Sequence, residues 1–246
     1  MNPSLTIAVL DAVPEVYWAD DLGNTDSQKF IDLLQPQNPE ARFEVFYVSK
    51  NEFPESLDPF DAILLTGSPC SVHDSHAWIG RLIELVRAAD ARGLGIMGSC
   101  FGHQLIARAF GGEVGPNEQG WLIGNYQVHL SRSFDWMQPA LPSTGLYHFN
   151  QERVTRLPST AIAYAYTDLY PDYGYTIGDN ILCFQGHPEQ PHRAIMNFLN
   201  AMDSLSDDAR ETALQRINGE APDASVWAEW MMRFFNNSRT VVRRSA

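Results

Sequence analysis

Two short segments carry side chains whose types and spacing could do chemistry. The first is Gly98-Ser99-Cys100-Phe101-Gly102-His103-Gln104, where glycines stand two residues either side of a cysteine. A short apolar run, 94–97, leads into it, and a helical pattern over 101–110 follows and ends at Gly111-Gly112. A strand that turns sharply into a helix, with a reactive side chain at the turn, is the geometry G-x-S-x-G gives serine hydrolases. The glycines relieve crowding, because a Cβ at either place would meet the neighbouring strand or helix. The helix N-terminus offers free N–H groups and a positive dipole end to a thiolate. Without that frame, Cys100 would read as a buried cysteine in an α/β turn.

The second segment is Gly186-His187-Pro188-Glu189, at the end of the apolar run 181–184. A cysteine nucleophile needs a base, and His187 is the best placed of the seven histidines. Two-residue spacing across a proline-stiffened turn lets Glu189 hydrogen-bond the imidazole and fix its tautomer. Alone, His187 reads equally well as a satisfied loop histidine. With the elbow, the order Cys…His…Glu reads as nucleophile, base and orienter. A further match, Gly93-x-Gly95-x-x-Gly98, has the letters of a dinucleotide fingerprint, which must follow a strand and open a helix. Here the glycines precede and punctuate strand 94–97, so the context is wrong.

These motifs must be positioned by an alternating chain. Residues 5–10 read as a buried strand followed by an acidic loop, and 43–48, 61–65 and 94–97 as three further strands. Helical patterns fall at 27–34, 77–92 and 101–110. That order argues for a parallel sheet with helices on both faces, an α/β fold. From 113 to 184 the texture changes to short β-rich runs such as 126–130, 161–166 and 181–184, read as an inserted antiparallel β region. Helices follow at 191–201, 207–217 and 225–235. The last is rich in bulky apolar residues, and either packs on the core or offers a lid or partner surface.

Together, Gly98–Gln104, Gly186–Glu189 and Thr66-Gly67-Ser68-Pro69 resemble the class I (triad) glutamine amidotransferases, over roughly residues 5–200. The resemblance implies a flavodoxin-like fold with Cys100 as nucleophile, His187 as base and Glu189 as its orienter. It also implies that backbone N–H groups near Gly67 and Ser68 and that of Phe101 hold an oxyanion, and that Gln104 touches the glutamyl end of the substrate. Gly120-Trp121 resembles the family's glutamyl-recognition segment. Where stand-alone relatives similar to γ-glutamyl peptidases carry a His-Gln-Asp-Glu-Val-like stretch, this chain has Asn150-Gln151-Glu152-Arg153-Val154, with His148 two places earlier. Residues 1–202 are expected to form the catalytic domain and 203–246 a helical extension packed on it. The implied substrate is a small γ-glutamyl compound, attacked at its γ-carbonyl to give a thioester on Cys100.

Composition narrows the partners. With 17 Lys and Arg against 30 Asp and Glu, the net charge of −13 argues against nucleic acid and against an anionic membrane face. Three widely spaced cysteines suggest a reduced, cytoplasmic chain. No run reaches the ~18 apolar residues of a membrane span, and the N-terminus lacks the basic region of a signal peptide. No cofactor or metal is expected; His73-x-x-His76 has metal-pair spacing but reads, with Asp74 and Ser75, as a capped helix start. Neither a Ser-Gly-Gly-x-Asp-Ser pyrophosphatase loop nor a G-x-x-x-x-G-K-[ST] phosphate loop occurs, so ATP activation of an acceptor is not expected of this chain. That leaves an autonomous hydrolase or transferase, a glutaminase subunit serving a separate synthase chain, or a catalytically silent binding protein on the same fold.

Overall fold

Alternation along the buried strands builds the molecule. In β1 (Thr6–Asp11), Ile7 and Val9 face one core while Ala8 and Leu10 face another. A strand buried on both faces reads as a continuous apolar run, and that is how LTIAVL stands out in the sequence. The computed structural model describes residues 4–17 and 24–245. The acidic loop expected after β1 lies partly outside them.

Helix α1 (Asp26–Leu34) opens on Thr25, whose hydroxyl accepts from Gln28 N at 3.3 Å. Then come β2 (Arg42–Tyr47), β3 (Ala62–Leu65), α2 (Ala77–Ala91), β4 (Gly95–Ser99) and α3 (Phe101–Ala109). The middle of the chain supplies β5 (Glu113–Pro116), β6 (Leu122–Leu130), β7 (Ser143–Asn150), β8 (Glu152–Arg156), β9 (Ala161–Tyr166), β10 (Gly174–Ile177) and β11 (Ile181–Phe184). Helices α4 (His192–Asn200), α5 (Asp207–Ile217) and α6 (Ala224–Ser245) follow.

The central sheet has nine strands in the order β2-β1-β3-β4-β11-β10-β9-β6-β7. From β2 to β11 every pairing is parallel; from β11 to β7 every pairing is antiparallel. The fold is α/β with helices on both faces, as the sequence pattern implies. Phe30 and Leu34 of α1 and Trp227, Trp230 and Phe235 of α6 cover one face; Ile79 and Leu82 of α2 and Leu105 and Ile106 of α3 cover the other. A third cluster joins α4 and α5 to β6 and β7 through Ile195, Leu199, Ile217, Ile123 and Tyr147. Strands β5 and β8 form a separate antiparallel pair.

Two expectations gain detail. The run 181–184 is the second arm of a hairpin with β10, and it also pairs in parallel with β4, so it is the joint between the two halves of the sheet. The apolar helix expected at 225–235 runs on to Ser245 and buries Trp227, Trp230, Met231 and Phe235 in the chain's own core. It is a packing helix rather than a lid. Among the described residues no helix is long and apolar enough to cross a membrane.

Candidate active site

Three adjacent parallel strands deliver the site. The C-terminal ends of β3, β4 and β11 lie side by side, where open α/β sheets bind ligands. β3 runs into Thr66-Gly67-Ser68, β4 into Cys100, and β11 into Gln185–Glu189. Backbone and side-chain bonds clamp the three together. Gly102 N donates to Thr66 O at 3.1 Å, Cys100 N to Phe184 O at 3.1 Å, and Ser99 Oγ to Gly186 O at 2.8 Å.

Cys100 occupies the turn between β4 and α3 with φ 48° and ψ −104°, a backbone conformation that L-residues rarely adopt. Such a residue costs about 1–3 kcal/mol and persists only where its surroundings over-determine it. The glycine frame does so here. A Cβ on Gly102 would stand 2.7 Å from Leu65 O, and one on Gly98 would stand 2.6 Å from the Gly102 carbonyl carbon. The elbow read from the sequence is thus a close three-way packing of β3, β4 and α3.

His187 N donates to Tyr147 O at 2.8 Å in an antiparallel bridge that fixes the loop leaving β11. Its Nδ1 and Glu189 Oε1 stand 2.7 Å apart, with the two side chains 8% and 0% exposed. Gly67 sits against both His187 and Cys100. A Cβ there would meet His187 Cε1 at 2.8 Å and Cys100 Cβ at 3.7 Å. Burial works against a charged imidazole, but the carboxylate of Glu189 and the sulfur of Cys100 outweigh it, holding His187 well above its ordinary value. An imidazolium poised between a carboxylate and a cysteine sulfur can pass a proton to a leaving group.

A cavity of about 290 Å³ opens over Cys100 and His187. Ser68, Gln104 and Trp121 also line it, and Gly67 and Phe101 flank Cys100. Gly120 does not line it: that residue lies exposed at φ +74° in a turn where its N–H donates to Asn117 O. Gln104 is tied down, its Nε2 donating to Glu152 O at 2.9 Å and Gln185 Oε1 at 3.1 Å. Of the stretch 150–154, the first three residues line the cavity and the last two do not. His148 is buried between the rings of Tyr126 and Tyr173, and burial pushes it down to about 3.

The structure adds residues that the motifs did not signal. Phe149 and Phe198 join the expected Trp121 in an aromatic wall with ring centroids 5.1 and 5.0 Å apart. Asp26 and Gln190 also reach the cavity, from α1 and from the residue after Glu189. The polar cap expected for α2 is absent: its N-cap is His76, whose side chain makes no capping bond, because Asp74 accepts from Ser71 N and closes the preceding turn. His73 turns away to Val114 O, while Cys70, Asp74 and His76 bring ligand-type atoms within 4.8 Å of one another.

The chain is 26% identical to gamma-glutamyl peptidase 4 of Arabidopsis thaliana over 223 residues, covering 87% of this chain and 88% of that protein. It is 25% identical to the glutamine amidotransferase-like protein chry6 of Gibberella zeae over 193 residues, 76% of this chain and 77% of the other. The fold matches the crystal structure of a glutamine amidotransferase from Methylobacillus flagellatus with a TM-score of 0.75 at 17% identity, covering 98% and 95% of the two chains. The glutamine amidotransferase class-I family model matches residues 30–200, a span that takes in the loop after β3, the Cys100 elbow and the His187–Glu189 turn. The protein therefore belongs to the class I glutamine amidotransferase family.

Proposed function

We propose that the protein is a cysteine-dependent hydrolase or transferase that cleaves the γ-glutamyl amide bond of glutamine or a small γ-glutamyl compound. The observation that carries this reading is the 2.7 Å His187–Glu189 pair beside a cysteine held at φ 48°, with Cys100 and His187 both lining one cavity. Cys100 sulfur attacks the γ-carbonyl carbon, and the electron pair moves onto the carbonyl oxygen. Backbone N–H groups of the Gly67–Ser68 loop and of Phe101 are the donors for that oxygen, a type of contact worth about 2.7–4 kcal/mol per donor. The C–N bond then breaks, with the amine leaving as His187 gives up its proton. His187, now neutral, takes a proton from water, whose oxygen attacks the thioester, releases glutamate and restores the thiol. Glu189 keeps the imidazole in one tautomer throughout.

Gln104 and Trp121 are the proposed contacts to the substrate, and the reaction requires no cofactor. The leaving amine would be accommodated in the part of the cavity walled by Trp121, Phe149 and Phe198. Mass spectrometry of the full-length protein incubated with glutamine, γ-glutamyl dipeptides and γ-glutamyl amines tests the reading. Glutamate release from at least one of them, lost in Cys100→Ala, supports an autonomous enzyme. Activity that arises only when a co-purifying synthase is added identifies an ammonia-delivering subunit instead.

A further inference from the structure

Behind Glu189 lies a group of charged side chains that the reaction just described leaves unused. Lys29 and Asp26, three residues apart on α1, form an ion pair at 2.9 Å with side chains 5% and 11% exposed. Lys29 Nζ also donates to Gln190 Oε1 at 3.0 Å. An ammonium can only donate, so it fixes which end of the amide faces it. The amide nitrogen is thereby turned to donate to Asp26 Oδ1 at 2.9 Å and to Glu189 Oε1 at 3.3 Å. These partners lie more than 160 residues apart in sequence. The cluster is therefore assembled by the tertiary fold rather than by one helix.

Stability is a weak reason for such a cluster. A buried ion pair replaced by apolar groups of similar volume often leaves stability unchanged or higher. Around Glu189, β1 contributes Asp11, α1 contributes Asp26 and Lys29, and the loop after β11 contributes His187 and Gln190. Burial pushes Asp26 up to about 7, helped by the charges of Glu189 and Asp11, and pushes Lys29 down to about 8 against the same two carboxylates. Lys29 thus stands with the His187 imidazolium among three carboxylates.

We propose that Lys29, Asp26 and Gln190 are positioning residues for the Cys100–His187–Glu189 unit. Lys29 sets the Gln190 amide, Gln190 holds Glu189 on His187, and the Lys29 ammonium offsets the carboxylate charge so that Glu189 keeps its pairing. This rests on the triad reading above.

Alkylation of the full-length protein by iodoacetamide, mapped to individual cysteines across pH, separates the two claims. In the parent, iodoacetamide alkylates Cys100, and that reactivity falls in His187→Ala. Lys29→Met and Gln190→Met slow Cys100 alkylation roughly tenfold near neutral pH and converge on the parent at alkaline pH, where alkylation no longer needs the imidazole. They also lower kcat with little change in KM. Gln190→Met removes no charge, so it reports on positioning even where Lys29→Met fails to fold. The paired change Asp26→Leu with Lys29→Met removes both members of the buried ion pair together and should melt at or above the parent while showing the same slowed alkylation. A parent without the His187-dependent reactivity overturns the triad reading. A parent that has it, with variants that alkylate and turn over like the parent, overturns the positioning role alone.

Discussion

Glu189 Oε1 stands 2.7 Å from His187 Nδ1, yet Glu189 itself does not line the cavity, so its carboxylate acts on the reaction only through the imidazole. Replacing it with the neutral isostere tests that division of labour. Glu189→Gln should lower kcat by on the order of 10³–10⁴ with KM nearly unchanged, because the amide no longer selects the productive tautomer or supports the imidazolium. A loss under about tenfold, against that scale, would mean that something other than Glu189 orients His187.

Gly67 is a spacer between the loop after β3 and the imidazole. A Cβ there would stand 2.8 Å from His187 Cε1, closer than non-bonded carbon atoms approach. Gly67→Ala should therefore displace the ring and cost about 10²-fold in kcat, the usual scale of an ångström-sized misplacement, while leaving the melting temperature close to the parent's. Parent-like turnover would show that the loop yields instead of the histidine.

Stability should carry the imprint of His103. It is wholly buried, with neither ring nitrogen hydrogen-bonded, and burial pushes it from 6.5 down to about 3. Between those values the unfolded chain takes up a proton and the folded chain does not. The stability present above pH 6.5 is accordingly lost as pH falls toward 3. His103→Leu removes this term, so denaturant melts should show the variant gaining on the parent by on the order of 1 kcal/mol per pH unit across that window. Asp26 and His187, both raised on folding, titrate in the opposite sense, so the difference between the two proteins is the informative quantity. A pH-independent difference would contradict the assignment.

The site was legible where one short segment contains both the reactive group and the geometry that holds it. Gly98 and Gly102 announce Cys100 because the turn's crowding is local, and Pro188 and Glu189 announce His187 because the hydrogen bond spans two residues. The buried parallel strands were legible as apolar runs. What escaped notice is held by distant partners: Lys29 and Gln190 meet across 161 positions, and Phe149 of β7 and Phe198 of α4 complete the wall that Trp121 begins. Strand β10, GYTI, is too short to show a pattern. The end of α6 was missed because its continuation beyond Phe235 is polar and lacks the apolar spacing that betrays a buried helix.

Helix α6 should behave as core. Trp227 is 1% exposed, packs on Phe184 of β11 at 4.8 Å between ring centroids, and donates from Nε1 to Thr144 Oγ1 at 3.0 Å. Trp227→Ala is expected to cost about 3–5 kcal/mol in denaturant unfolding, the range for buried aromatic deletions. A loss below about 1 kcal/mol would mean that α6 is detachable, contrary to its packing.

The most direct measurement of the central claim is covalent trapping. Incubation of the full-length protein with a diazo-ketone analogue of glutamine, followed by intact-mass analysis and peptide mapping, should give one adduct per chain, located on Cys100, with turnover lost in proportion to labelling. Cys100→Ser should take up none. An adduct on Cys70 or Cys183, or equal labelling of Cys100→Ser and the parent, would contradict the assignment of Cys100 as the nucleophile.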